Sequence, residues 1–84
     1  MSIKVLFFAS LREKLGVAQI DVALQTSETL SVSELRRSLA SRGPEWTLLL
    51  DNDINAAANK AMVIEDHVLS PGDEVAFFPP VTGG

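Results

Sequence analysis

The sequence predicts an α+β domain in which a mixed sheet is wrapped over one main helix. Alternating apolar residues over 3–9 and 73–78 indicate two hydrophobic strands near opposite ends of the chain. Between them, Val32, Leu35 and Leu39 recur at helical spacing and predict one amphipathic helix. A length of 84 residues and a hydrophobic content of 46% fit a single folded domain with a modest core.

Composition excludes several classes of function. The chain contains no cysteine, so disulfides, thiolate zinc sites and a cysteine nucleophile are ruled out. Its net charge of −4 disfavours nucleic acid and anionic membranes as partners and fits a basic protein partner. Because no apolar run approaches the roughly 18 residues of a membrane span and no signal peptide is read, we expect a cytoplasmic protein.

The first strand should extend over 3–9 and present two different faces. Alternation directs one set of side chains into the core and the other toward solvent. A short helix over 10–16 should follow, capped by Ser10 and ended by Gly16. A second strand over 17–24 should form a hairpin with the first. The predicted core face of the first strand is Ile3, Val5 and Phe7, and its solvent face is Lys4, Leu6 and Phe8.

The main helix has the clearest boundaries in the sequence. Ser31 and Glu34 form the pattern of a capping box, and Gly43-Pro44 ends the helix. The apolar segment over 46–50 predicts a further helical turn that seals the edge of the core. Arg36 and Arg37 are two charges on this helix in an acidic protein, which does not indicate nucleic-acid binding.

The second half of the chain predicts short strands and turns. A loop over 51–53 precedes a strand of small residues over 54–59, and Asn59-Lys60 turns the chain into a returning strand over 61–64. A tight turn over 70–73 leads into the last strand. We expect the first and last strands, the most hydrophobic ones, to lie side by side and parallel in the middle of the sheet. This is the ubiquitin-like β-grasp arrangement.

A short tail follows the last strand. Pro79 and Pro80 lack a donor N–H and stop the sheet, and the remaining residues are Val81, Thr82 and two glycines. We therefore expect a β-grasp domain over 1–78 and an extended, flexible Gly-Gly tail over 79–84. The tail is long enough to reach about 20 Å at ~3.3 Å per residue, which would allow it to enter the active site of a neighbouring protein.

Two segments carry a resemblance to a known family. The run Gly-Asp-Glu-Val-Ala-Phe-Phe-Pro-Pro-Val-Thr-Gly-Gly over 72–84 resembles the end of the MoaD-type small subunits of molybdopterin synthase. The segment Ile3–Ala9, followed by Arg12-Glu13, resembles the beginning of the same family. The resemblance spans the whole sequence, and it also implies the β-grasp fold.

The resemblance implies a sulfur carrier without catalytic activity of its own. An E1-like activating enzyme would use ATP to adenylate Gly84, and a sulfur donor would convert it to a thiocarboxylate. The large subunit of the synthase would then use that sulfur for the dithiolene of molybdopterin. No cofactor would be bound by this chain, and Gly83 would thread the partner's channel. The implied partner-contact residues are Phe8, Met62 and Phe78, together with Pro79, Pro80, Val81 and Thr82 in the tail.

Other sites and functions were considered beside the sulfur-carrier interpretation. Asp51-Asn52-Asp53 begins like a calcium loop, but the required Gly and Glu are replaced by Ala56 and Met62. His67 is the only histidine, and a triad with its sequence neighbours Asp66 and Ser70 is a poor fit to the usual geometry. Three alternative functions remain open: a ubiquitin-like protein modifier, a sulfur carrier of the thiamin pathway, and a plain interaction domain.

Overall fold

The computed structural model describes residues 2–24 and 29–80. Its helices are α1 (Ala9–Leu15), α2 (Val32–Ala40) and a 3₁₀ helix (Pro44–Leu50). None of these described helices has both the length and the apolar character needed to cross a membrane. The strands are β1 (Ser2–Phe7), β2 (Gln19–Ala23), β3 (Leu30–Ser31), β4 (Asn55–Ala58), β5 (Ala61–Met62), β6 (Val68–Leu69) and β7 (Glu74–Phe78).

The main sheet has five strands in the order β2-β1-β7-β4-β5. β1 pairs antiparallel with β2 and parallel with β7, and β7 pairs antiparallel with β4. The expected placement of the first and last strands, adjacent and parallel at the centre, is therefore confirmed. The parallel pair is possible because the intervening chain, including α2, forms a long crossover between the two strands.

The core lies between the inner face of this sheet and the helices. Its aromatic centre is Phe7, whose ring stacks on Phe77 at 6.4 Å and meets the edge of Trp46 at 5.5 Å. Trp46 belongs to the 3₁₀ helix, which seals the core edge as predicted. Burying each large apolar side chain contributes roughly 1.5–3 kcal/mol. The largest fully buried side chains are Phe7, Phe77, Ile3, Leu35, Leu49, Leu69, Val5, Val32 and Val75.

The main helix begins with the predicted capping box. The Glu34 N–H donates to the Ser31 hydroxyl at 3.1 Å, and the Ser31 N–H donates back to the Glu34 carboxylate at 3.0 Å. The hydrogen bond from the backbone N–H lowers the pKa of Glu34 below its ordinary value, with further lowering from the Ser31 hydroxyl and the Arg37 charge. The predicted start of this helix is confirmed.

The first helix begins differently from the prediction. It starts at Ala9, and its cap is Phe8, which makes no side-chain capping hydrogen bond. The prediction that Ser10 caps the helix was therefore wrong, and β1 ends at Phe7 instead of continuing to residue 9. The predicted stop is correct: Gly16 adopts a left-handed φ of 77°, and its N–H donates to the Arg12 carbonyl at 2.9 Å.

A small second sheet was missed by the sequence analysis. β3 and β6 pair antiparallel over Leu30–Leu69 and Ser31–Val68, in segments for which no strand was predicted. β4 and β5 also differ in extent from the predicted 54–59 and 61–64. Two-residue strands carry too little periodicity to be recognised, and they exist because the long connections lie against each other beside α2.

Arg36 is buried, with 7% of its surface exposed. Its Nη1 and Nη2 donate to the carbonyls of Leu49 and Ile54 at 2.8 and 2.6 Å. Its Nε forms an ion pair with Glu65 at 2.9 Å, although that contact is not aligned as a hydrogen bond. The interpretation of Arg36 as an ordinary helix charge was therefore incomplete. The missed signal is its place in the 32, 35, 36, 39 series, which is the i, i+3, i+4, i+7 stripe of a buried helix face.

Candidate functional site: outer patch and tail root

The outer face of the main sheet carries a continuous row of apolar residues. Leu6 of β1 is the register partner of Ala76 in β7, which pairs with Ala57 of β4. Ala57 in turn pairs with Met62 of β5. Because register partners in a sheet share a face, this row crosses four strands on the side opposite the core. The two central residues of this row are small alanines, and the larger Leu6 and Met62 lie at its two ends.

Two phenylalanines lie on this face where β1 and β7 end. Phe78 pairs with Asn55 and is half-buried, whereas Phe8 is 46% exposed. The Phe8 N–H donates to the Phe77 carbonyl at 3.2 Å, which continues the β1–β7 ladder by one residue. Met62 is 64% exposed. We call this set the outer patch: Leu6, Phe8, Ala57, Met62, Ala76 and Phe78.

The predicted contact residues Phe8, Met62 and Phe78 therefore belong to one face. Leu6, predicted on the solvent face of the first strand, lies there too, and Ala57 and Ala76 are additions from the structure. The sequence Asn-Ala-Ala-Ala over 55–58 has no alternation of polar and apolar residues, so no local signal identified Ala57. Large exposed apolar groups that cluster on one face are typical of a protein-binding surface.

The chain turns sharply at the residue that follows Phe8. Ala9, the first residue of α1, has φ of 55°, a left-handed conformation that is unfavourable for a residue with a Cβ. This conformation turns the chain from β1 into α1 immediately after Phe8. The Phe8 carbonyl then accepts the Arg12 N–H at 3.4 Å in the first turn of the helix.

The first two residues of the tail lie in a cleft next to α1. Pro79 is half-buried and Pro80 is exposed, and both line a cavity of about 170 Å³. Leu11 and Lys14 of α1 form one side of this cleft, and Asp53 and Ile54 form the other. We call Pro79 and Pro80 the tail root. The remaining predicted site residues, Val81, Thr82, Gly83 and Gly84, lie outside the described residues.

The acidic loop beside the cleft is held by its own hydrogen bonds. The Asp53 N–H donates to the Asp51 carboxylate at 2.9 Å, and the Ile54 N–H donates to the Asp51 carbonyl at 3.0 Å. These contacts form a turn stabilised by an aspartate side chain. Within the described ranges, no group of three or more His, Cys, Asp or Glu residues could hold a metal ion.

The residues of the hypothetical triad have structural contacts. The His67 carbonyl accepts the Val32 N–H at 3.0 Å, at the start of α2. The Ser70 N–H donates to the Asp73 carboxylate at 2.9 Å, which closes the turn before β7. Asp73 also accepts a hydrogen bond from the Asn59 amide at 3.2 Å. These interactions connect the turns around the sheet.

Comparison with known proteins gives matches over the whole chain. The ThiS family matches residues 5–84, which include the tail. The molybdopterin synthase sulfur carrier subunit of Escherichia coli (strain K12) is 48% identical over 83 residues, covering 98% of this chain and 99% of that protein.

Solved structures share the fold over the same extent. The crystal structure of SAMP1 from Haloferax volcanii superposes with a TM-score of 0.81 at 25% identity, covering 100% of both chains. A chain in the complex of subunits 1 and 2 of the molybdopterin-converting factor from Helicobacter pylori gives a TM-score of 0.69 at 24% identity, again covering 100% of both chains. These likenesses confirm the ubiquitin-like β-grasp fold.

Proposed function

The chain belongs to the ThiS family, and on that premise we propose that it is the sulfur carrier subunit of molybdopterin synthase. The observation that carries this proposal is the 48% identity with the Escherichia coli sulfur carrier subunit over nearly the full length of both proteins. The domain would act as a docking body, and its tail would supply the reacting group. This role fits a non-catalytic small subunit.

The reacting group would be the carboxylate of Gly84. An ionised carboxylate is a poor acyl electrophile, so it first needs a leaving group. In our proposal, a carboxylate oxygen attacks the α-phosphate of ATP in the activating enzyme, forming an acyl-adenylate and releasing pyrophosphate. A hydrosulfide equivalent from a sulfur donor then attacks the acyl carbon. The C–O bond to AMP breaks, AMP leaves with the electron pair, and a thiocarboxylate remains.

The tail root and the glycines would deliver that group to a partner. Pro79 and Pro80 limit the conformational freedom lost when the tail is immobilised, so binding costs less entropy. Gly83 and Gly84 lack a Cβ, which would allow the backbone to pass a narrow channel and approach reacting atoms closely. Val81 and Thr82 would occupy the channel entrance. All acid, base and metal chemistry would come from the partners.

The outer patch would bind the large subunit. The Helicobacter pylori structure is described as a complex of subunits 1 and 2 of the molybdopterin-converting factor. In this chain the exposed Phe8 and Met62 lie on one sheet face with Phe78, directly before the tail root. A partner bound to that face would therefore lie where the tail leaves the domain. Apolar anchors of this size commonly dominate the binding energy of an interface.

Intact-mass spectrometry tests the proposed function. The full chain is incubated with ATP, an activating enzyme and a sulfur donor, and we expect a mass gain equal to one oxygen exchanged for sulfur. A variant lacking Gly83 and Gly84 should fold normally and gain nothing. If the full chain remains unmodified in the complete system while a known carrier is converted, the proposal is wrong.

A second candidate is a protein modifier, favoured by the structural likeness to SAMP1, a small archaeal modifier protein. In that role Gly84 would form an isopeptide bond with a lysine of a target protein. Branched tryptic peptides isolated from cells expressing the chain would distinguish the two functions. Lys60 is the last Lys or Arg before Gly84, so trypsin would leave residues 61–84 attached to a modified lysine. Target lysines that carry this 61–84 remnant would favour the modifier, and their absence alongside a thiocarboxylate would favour the carrier.

A further inference from the structure

One guanidinium group joins both ends of the connection 50–53. Arg36 Nη1 donates to the Leu49 carbonyl at 2.8 Å, and Nη2 donates to the Ile54 carbonyl at 2.6 Å. These two carbonyls immediately precede and follow the connection. Because the guanidinium is planar and rigid, it fixes the separation of the two ends.

The same guanidinium contacts the strand that leads to the tail. Its Cζ lies 5.1 Å from the centroid of the Phe77 ring, a distance typical of a cation–π interaction. Its Nε also forms an ion pair with Glu65 at 2.9 Å. Phe77 is only two positions before Pro79, so Arg36 is connected both to the 50–53 connection and to the base of the tail.

The connection held by Arg36 is also a wall of the tail cleft. Asp51 and Ile54 line the cleft together with Pro79 and Pro80. They also line a neighbouring cavity of about 170 Å³ that Arg36 itself borders. A shift of the Ile54 carbonyl away from Arg36 would therefore displace the surface against which the prolines lie.

We propose that Arg36 is a positioning residue for the tail root. By fixing the 50–53 connection relative to β7, it sets the position of Pro79 and Pro80, from which the tail begins. The inference rests on the proposed carrier function, because only a tail that must enter a partner's active site needs a defined exit direction. Arginine is required since a lysine ammonium has no planar fork to hold two carbonyls at a fixed separation.

The test compares Arg36→Lys and Arg36→Met with Val32→Ala, a core variant one turn earlier on the same helix. All three are assayed at a temperature where circular dichroism shows them folded. The activity readout is adenylation of the full chain by the activating enzyme, with kcat and KM for the carrier determined separately. The second readout is amide hydrogen exchange at Ile54, whose N–H donates to the Asp51 carbonyl at 3.0 Å.

We expect both Arg36 variants to lower kcat by about tenfold, since small displacements of a reacting group have large effects on rate. KM should stay within about twofold, because Arg36 is buried and its replacement alters no exposed contact residue. Exchange at Ile54 should accelerate by about tenfold, with exchange in β7 unchanged. Val32→Ala should leave kcat and Ile54 exchange at wild-type values.

Equal kcat in Arg36→Lys and Val32→Ala would overturn the positioning role. Unchanged exchange at Ile54 would overturn it independently of any activity measurement. Arg36→Lys decides the matter if Arg36→Met fails to fold, because lysine keeps the charge and most of the hydrocarbon stem. Failure of the wild-type chain to be adenylated would instead count against the proposed function, which keeps the two conclusions separable.

Discussion

Phe7 and Phe77 are register partners at the centre of the sheet, and their rings stack with 16° between their planes. Both side chains face the core. Because side chains alternate along a strand, the next residue on each segment, Phe8 and Phe78, faces outward. The buried pair, Phe7 and Phe77, therefore determines the face on which Phe8 and Phe78 lie. Each Phe-Phe dipeptide contributes one ring to the core and one to the outer patch.

Substitution of the two neighbouring phenylalanines on β7 should destabilise the fold to very different extents. Phe77→Ala removes a fully buried ring and its contacts with Phe7 and Arg36, so it should cost about 3–5 kcal/mol of unfolding free energy. Phe78→Ala should cost about 1 kcal/mol or less because that side chain is only half-buried. Urea unfolding followed by circular dichroism measures both values. Similar losses for the two variants would contradict the assigned faces.

The outer patch should matter for binding and not for folding. Met62→Ser replaces a side chain that is 64% exposed with a small polar one. The unfolding free energy should therefore change by less than about 0.5 kcal/mol. Affinity for the large subunit should fall by about tenfold or more, measured by titration calorimetry. The matched control is Val68→Ser, an exposed apolar residue on the second sheet. An equal loss of affinity in the control would argue against a localised contact surface.

The turn between β4 and β5 offers a stabilising substitution. Asn59 and Lys60 have φ of 50° and 72°, the arrangement of a type I′ hairpin turn, whose second position favours glycine. Lys60→Gly should therefore raise the unfolding free energy by about 0.5–1 kcal/mol, after allowance for the greater freedom of glycine in the unfolded chain. Lys60→Ala removes the same side chain but keeps the strain, and it should show no gain. Chemical denaturation of both variants separates the backbone effect from the charge.

The capping box should make part of the stability dependent on pH. The pKa of Glu34 is lowered in the folded state, chiefly by the Ser31 N–H. A group with a lowered folded pKa stabilises fully above its unfolded pKa, and the contribution disappears as pH falls through the folded value. Glu34→Gln keeps a capping side chain without the titration. The stability difference between wild type and this variant should vanish on acidification, and a difference that does not vary with pH would contradict the assignment.

Much of the fold was predictable because strong local signals agreed with the final packing. The alternation of Ile3, Val5 and Phe7 identified the core face of β1, and the Ser31–Glu34 pair identified the start of α2. In both cases the sequence pattern and the tertiary contacts select the same residues. The pairing of β1 with β7 could be predicted because these strands are the most hydrophobic ones, and the most buried positions of a sheet are at its centre.

The remaining features depend on contacts that are distant in sequence. Nothing local to Ala9 indicates a left-handed φ, because that conformation results from the need to turn directly from β1 into α1. The burial of Arg36 depends on the carbonyls of Leu49 and Ile54, which no single-helix pattern contains. The pairing of β3 with β6 likewise joins two short segments across α2. The tail cleft combines three such segments, so only its prolines could be anticipated.

The parallel pairing of β1 with β7 also has a consequence for biosynthesis. A nascent chain presents Ser2–Phe7 early, yet the central neighbour of that strand, Glu74–Phe78, is translated only after nearly everything between them. Hairpin formation with β2 is available immediately, whereas closure of the sheet must wait for the distant segment, and non-local pairing of this kind is slow. On the ribosome, the domain would therefore complete its sheet only when the residues just ahead of Pro79 have emerged.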